Sequence, residues 1–316
     1  QMITTPICDM LGIEYPIFQG GMAWIADSQL AAAVSNAGGL GIIAAMNANA
    51  DWLREQIHQA RSLTDKPFGV NIMLMSPFAD EVAQLVIDEK VPVVVTGAGN
   101  PSKYIKAWKA AGIKVIPVVA SVALARMVEK RGADAVIAEG GESGGHVGDL
   151  TTMTLVPRVV DAVKIPVLAA GGIADGRGIA AAFMLGAQGV QVGTRFLVAT
   201  ECNVHPTYKA WVLKAKDIDT MVTGRRLGHP VRAIRNPFTR EYLKKEYNSN
   251  ISDEELERMG TGSLRKAAVE GNEEEGTFLA GQAAAMVTKE QPAKEIVTEM
   301  FAQAEEVLKG ATKWLK

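Results

Sequence analysis

Cysteine is nearly missing from this chain: Cys8 and Cys202 are the only two in 316 residues. Two thiols that far apart build neither a metal cluster nor a disulfide framework. Histidine is scarce too, with four copies, and aromatic residues make up 6%. A basic surplus is also absent, since 33 Lys and Arg stand against 35 Asp and Glu for a net charge of −2. That balance offers no general means of neutralising phosphates, so a nucleic-acid partner is not expected. No apolar run reaches the roughly 18 residues a membrane-crossing helix needs, and no basic segment leads into an apolar stretch as in a secretory signal. A soluble cytoplasmic protein with no membrane partner is the expectation. What the chain does have is the 48% hydrophobic, 22% charged composition of a globular protein. Its length suits two average domains or one barrel with an insertion. Gln1, ahead of Met2, is left out of the reading.

Short apolar runs recur through the first two hundred residues. They cover Tyr15–Gln19, Leu40–Ala44, Phe68–Met73, Pro92–Thr96, Lys114–Val119, Ala135–Ala138, Ile165–Ala169 and Gly189–Gly193. Continuous rather than alternating apolarity marks parallel strands buried on both faces. Helical patterns lie between the runs. Asp27 or Ser28 caps a helix bearing Leu30, Ala31 and Val34, and Ser121 caps one that ends at Gly132. Asn100 caps a helix with Pro101 in its first turn, and Asp175 opens another carrying Ile179 and Ala182. Eight strands alternating with helices predict an α/β fold of the (β/α)8 TIM-barrel type. An open doubly wound sheet is the rival, but no Gly-x-Gly-x-x-Gly follows the first run.

The rhythm stops near residue 200. Residues 205–245 hold ten Lys or Arg against Asp217, Asp219 and Glu241, and an acidic stretch follows. This region reads as mostly helical, with a turn-rich break at 248–252. A final amphipathic helix sets Ile296, Met300, Ala304 and Leu308 on one stripe. The expected division is a barrel from 1–202 and about 290–316, with a lid from about 203–289 placed after the eighth strand.

In such barrels the chemistry sits in the loops that follow the strands. Ala170-Gly171-Gly172-Ile173 follows the seventh run and Gly193-Thr194 the eighth. Backbone N–H groups of glycine approach anionic oxygens closely, so the pair reads as a phosphate cradle. Tight βα turns need glycine on any barrel, which is the plainer alternative for each taken singly. The loop Gly140–Gly148 is long, rich in glycine, and presents His146, which can act as acid, base or hydrogen-bond donor near neutral pH. His58 lies in a polar helical stretch, and His205 and His229 each precede proline, where solvation or structure explains them better. Gly141-Glu142-Ser143-Gly144-Gly145 formally matches a nucleophile elbow, but it lacks the immediate strand-turn-helix setting. A phosphate-binding lyase or sensor barrel lacks its Schiff-base lysine, because no run ends on one.

Several segments together resemble the enoyl-acyl-carrier-protein reductase II family, the flavin-dependent enzymes of bacterial fatty-acid synthesis and sisters of the nitronate monooxygenases. They are Tyr15-Pro-Ile-Phe-Gln-Gly-Gly-Met-Ala-Trp24, Lys66-Pro-Phe-Gly-Val-Asn-Ile-Met73 and Thr96-Gly-Ala-Gly-Asn-Pro-Ser-Lys103. Ala138-Glu139-Gly140 with Gly144-Gly145-His146 belongs with them, as do Ala169–Gly176, Gln191–Phe196 and Gly228–Asn236. The resemblance spans nearly the whole chain. It implies FMN across the barrel mouth, with its phosphate on Gly171, Gly172, Gly193 and Thr194 and its ring near Gly21, Met22 and Asn71. Glu139, Gly145, Ala170 and Gln191 complete the implied cofactor positions. NADH (or NADPH) would be the reductant, and an enoyl-acyl carrier protein or enoyl-CoA the substrate. His146 would donate the α-proton or polarise the thioester carbonyl. Relatives of this type are often stimulated by potassium or ammonium, though spacing places no metal site here. A homodimer is expected. The nitronate monooxygenase branch, with O2 as electron acceptor, is the alternative. Arg225, Arg226, Arg232 and Arg235 would steer the acidic carrier protein or hold its phosphopantetheine phosphate, unless they form an ordinary solvated face.

Overall fold

The computed structural model describes residues 2–316, so Gln1 lies outside the described residues. Helix α1 (Pro6–Leu11) leads into β1 (Ile17–Gln19), α2 (Ser28–Asn36), β2 (Gly41–Ala44), α3 (Ala50–Leu63) and β3 (Phe68–Met73). The alternation continues with α4 (Ala79–Asp88), β4 (Val93–Gly97), α5 (Ser102–Ala110), β5 (Lys114–Val119), α6 (Val122–Arg131) and β6 (Val136–Glu139). After a two-residue strand β7 (Gly145–His146) come α7 (Thr152–Ala162), β8 (Val167–Ala170), α8 (Gly176–Met184) and β9 (Gly189–Val192). All eight apolar runs thus become barrel strands.

The strands lie in the order β1-β9-β8-β6-β5-β4-β3-β2. The two ends meet where Leu40 N–H donates to the Ile17 carbonyl at 2.8 Å and Gln19 N–H to the Leu40 carbonyl at 3.0 Å. This closes the barrel. Side chains alternate along each strand, which explains the unbroken apolar runs. Ile42, Val93, Val95, Ile116, Ile137 and Leu168 fill the interior. Their neighbours Ile43, Val94, Val115, Val136 and Val167 pack outward under the helices. Ile7 and Leu11 of α1 join the interior cluster and stopper the end where the strands begin. The same alternation turns Asn71, Glu139 and Gln191 inward at the opposite end, because Val70, Ile72, Ala138, Val190 and Val192 all face out.

Helix starts follow the expected caps. Asp27 accepts from Leu30 N–H, Ser121 from Leu124 N–H, and Asp175 from the N–H groups of Arg177 and Gly178. At α5 the position shifts by one: Pro101 occupies the cap, and the Asn100 side chain accepts from Ser102 N–H at 3.0 Å.

Residues 203–289 contain α9 (Pro206–Lys214), β10 (Thr220–Thr223), β11 (Val231–Ile234), α10 (Pro237–Glu246), α11 (Asp253–Gly260) and α12 (Ser263–Ala268). Helices dominate this stretch, as the sequence predicts, and one small sheet joins them. β10 and β11 form an antiparallel hairpin, and β7 from the long loop adds a third strand. These strands, four residues each in β10 and β11, are too short to show in an apolar profile. The last helix, α13 (Ala293–Lys309), buries Ile296, Met300 and Ala304 and leaves Leu308 half-buried. It packs on α8 at Gly176, where a Cβ would sit 2.3 Å from Ala304 N. Among the described residues no helix is long and apolar enough to cross a membrane.

Candidate active site

The two glycine turns are built as the spacing requires. Gly171 and Gly172 have successive positive φ angles of 99° and 77°, a conformation only glycine adopts without strain. Their carbonyl side is held in place: Thr152 Oγ1 donates to the Gly171 carbonyl at 2.9 Å and Gly140 N–H to that of Ala170 at 2.9 Å. The amide side is free. Among the described residues nothing accepts a hydrogen bond from the backbone N–H of Gly171, Gly172 or Gly193. Thr194 Oγ1 accepts from Gly281 N–H at 2.9 Å, which leaves its own proton to donate. Orphan amides converging with a hydroxyl form a concavity suited to a phosphate.

The barrel mouth in front of this cradle carries an unsatisfied amide. Gln191 is buried and its Oε1 has no partner. Buried amide groups of this kind ordinarily find partners, so an idle one marks a place where a ligand edge belongs. Gly21 lies so close to Asn71 that a Cβ there would stand 2.5 Å from Asn71 Cβ, leaving a flat floor beside the Asn71 side chain. Met22 places its sulfur over Gly193. The residues present therefore fit FMN: donors for its phosphate, an open floor and polar edges for its ring.

Glu139 ends β6 and faces inward. Protein surrounds it, although part of the side chain stays open to the mouth, and burial lifts its carboxyl to a pKa of about 7. Ser143, close by, pulls in the opposite direction, but its Oγ makes no hydrogen bond of good geometry. A buried serine hydroxyl without a histidine partner is no activated nucleophile, and the elbow reading falls. Gly145 and His146 lie in β7, paired with Arg232 and Val231 of β11. The His146 ring is exposed, yet desolvation by neighbouring protein lowers its pKa and His229 adds to that. Near neutral pH this favours the uncharged imidazole, with one N–H to donate.

The loop that carries His146 is fixed rather than free. Glu142 accepts from Thr152 N–H at 2.9 Å and caps α7. Its carbonyl accepts from Gln282 N–H at 2.9 Å, and Val147 N–H donates to Pro230. Arg232 clamps the Gly141 carbonyl through Nε at 3.0 Å and Nη2 at 2.9 Å. The four arginines consequently separate. Arg226 is spent on the carbonyls of Glu246, Asn248 and Ile251 and on Asp253, and Arg232 on Gly141. Arg225 stands exposed, 3.8 Å from Asp149, and Arg235 is exposed. Of the remaining histidines, His58 pairs with Glu89 on the surface and His205 caps α9 through Nδ1. The sequence reading passed over Trp24, which holds a strained φ of 67° at the mouth with Arg265 5.9 Å over its ring. An aromatic two residues past Gly21-Met22 was the available signal.

The closed eight-stranded sheet makes this a (β/α)8 barrel, and the family to which the chain belongs makes it an FMN-dependent oxidoreductase. The chain belongs to the nitronate monooxygenase family, whose sequence profile matches residues 4–85 and 76–303 in two overlapping stretches. It is similar to FabK from Thermotoga maritima, with 53% identity and a TM-score of 0.97 over 99% of this chain and 100% of that one. A 5-hydroxy-7a-methyl-1-oxo-octahydro-1H-indene-4-carboxyl-CoA dehydrogenase of Mycobacterium tuberculosis is 36% identical over 96% of each chain. A nitroalkane oxidase from Streptomyces ansochromogenes is 30% identical, with a TM-score of 0.87 over 96% of this chain and 99% of that one.

Proposed function

We propose that this protein is an enoyl-acyl-carrier-protein reductase of bacterial fatty-acid synthesis, working in the cytoplasm on trans-2-enoyl thioesters of the carrier protein or of CoA. The observation that carries the reading is the similarity to Thermotoga FabK, which runs unbroken through the barrel and through residues 203–289. FMN, when bound, would supply the hydride-transfer chemistry that links NADH or NADPH to the β-carbon of the enoyl group.

The chain's own residues bind, orient and manage protons. Gly171, Gly172, Gly193 and Thr194 hold the phosphate beside Ala170. Gly21, Met22 and Asn71 support one side of the ring, and Gln191, Glu139 and Gly145 complete its surroundings. His146 donates a hydrogen bond from its neutral ring to the thioester carbonyl, or the proton that the α-carbon must gain. Residues 203–289 act as a lid over 1–202 and 290–316, and their hairpin holds the His146 strand in place. A homodimer and stimulation by potassium or ammonium go with this reading.

Nitronate oxidation is the second reading, favoured by the Streptomyces nitroalkane oxidase, and it would use the same histidine as a base. Anaerobic NADH-dependent reduction of crotonyl-CoA, run beside aerobic turnover of a nitroalkane, separates the two. Enoyl reduction that outpaces nitroalkane turnover upholds the proposal, and the reverse ratio replaces it with the second reading. A colourless protein that takes up no FMN removes both.

A further inference from the structure

Beside the cradle, but outside the barrel, a cleft of about 130 Å³ opens between the turn Thr194–Val198, the return segment 286–291 and α13. Arg195, the residue after Thr194, lines it and is 8% exposed. Nη2 donates to Gln291 Oε1. Nη1 is buried with no acceptor, and among the described residues no carboxylate forms an ion pair with this guanidinium. Glu299 offsets the guanidinium charge without hydrogen-bonding it, so Nη1 stays a buried donor with no acceptor, which is costly, and guanidinium does not escape that cost by losing its proton.

The carboxylates lining the cleft are already engaged. Asp175 spends one oxygen on the N–H groups of Arg177 and Gly178 and the other on the Arg177 guanidinium. Glu299 accepts from Gln291 Nε2 at 2.9 Å and faces Lys289 at 3.7 Å. Lys289 is largely exposed and also lines the cleft. Two cations and two already engaged carboxylates thus line a small cavity in which one guanidinium nitrogen has nothing to donate to.

We propose that this cleft is a site for a small oxyanion of the carboxylate or phosphate type, held by Arg195 Nη1 and covered by Lys289. Oxyanions match guanidinium donors in charge and geometry. The anion would fasten segment 286–291 to the turn that carries Thr194, so that its binding stabilises the seating of residues 203–289 on the barrel. None of this depends on which substrate the active site takes.

The flavin-loaded protein is the sample to test, because its cradle is filled and cannot bind the probe. Thermal unfolding is followed as sodium phosphate or sodium acetate replaces sodium chloride at constant ionic strength. A saturable rise of a few degrees is expected with at least one oxyanion, abolished in Arg195→Gln and weakened several-fold in Lys289→Ala. The second variant decides alone if the first does not fold, since Lys289 is mostly solvent-exposed. No saturable shift beyond chloride would mean that water alone serves Nη1 and would overturn the proposal. A shift that survives in both variants would place the anion elsewhere and overturn it equally.

Discussion

In the barrel, cohesion comes from apolar area: Ile42, Val93, Ile116 and Leu168 meet inside, and Ile43, Val94, Val115 and Val167 meet the helices outside. Residues 203–289 join the same outer apolar cluster through Tyr208, Val212, Ile234, Ala267 and Phe278, but they add directed polar tethers. Arg226 gathers three backbone carbonyls, Asn236 Nδ2 donates to those of Glu273 and Gly276 at 3.0 and 2.7 Å, and Arg232 reaches across to Gly141. A smaller aromatic group adds to this, with Tyr208 and Trp211 each 5.0 Å from the Phe278 ring centre. Apolar area is non-directional and shared among many residues, whereas a buried polar tether depends on one donor and one acceptor. The barrel should thus be most sensitive to a change of volume, whether an intrusion or a cavity. Residues 203–289 should loosen locally when a single tether is cut.

The largest effect is expected on the barrel side. Gly176→Ala forces a Cβ to within 2.3 Å of Ala304 N and 2.5 Å of the Met300 carbonyl, so α13 must shift away from α8. A loss of roughly 3–5 kcal/mol is expected in urea unfolding; a loss below about 1 kcal/mol would show that the contact gives way easily.

His146→Ala probes the junction of the two regions. A drop in kcat/KM for crotonyl-CoA of roughly a hundredfold or more is expected, with the visible flavin spectrum unchanged. Full activity would remove His146 from proton handling.

Glu139 offers a test by pH. Its folded pKa of about 7 is raised from 4.5, so the folded state holds its proton to higher pH than the unfolded chain does. Stability is then lost as pH rises from about 4.5 through about 7. Glu139→Gln cannot ionise, so without cofactor it should match the parent at acid pH and exceed it by up to about 3 kcal/mol above neutrality. Parallel stability curves would contradict the assigned burial.

The smallest effects divide the arginines. Arg226→Ala and Arg232→Ala should each cost about 2 kcal/mol and speed proteolysis between residues 246 and 253 and between residues 140 and 148, respectively, while the barrel persists. Arg225→Ala and Arg235→Ala should leave stability unchanged. With a carrier-protein substrate they should lower kcat/KM a few-fold at low salt only. If all four behave alike, the distinction between tether and free charge fails.

How much of this was legible depended on the range of the interaction. The runs Phe68–Met73 and Lys114–Val119 coincide with β3 and β5 to the residue, because a strand buried on both faces writes its environment directly into its composition. Asp27, Ser121 and Asp175 announced their helices because a cap acts within three residues. The hairpin β10–β11 was not legible: its four-residue strands are stabilised by pairing with each other and with β7, partners far off in sequence. Nor was the division among Arg225, Arg226, Arg232 and Arg235, since nothing local distinguishes an arginine that meets a carbonyl 91 residues away from one that meets water.

By itself, then, the chain's order of residues determined the eight-fold alternation, the glycines after β8 and β9 and the amphipathic last helix, all consequences of periodicity and of backbone sterics acting over a few residues. Only the tertiary structure decided that His146 sits in a strand, that Glu139 is crowded enough to hold its proton near neutral pH, and that Arg195 is buried with one guanidinium nitrogen left without an acceptor. Burial, dielectric surroundings and long-range partners exist only once distant segments have been brought together.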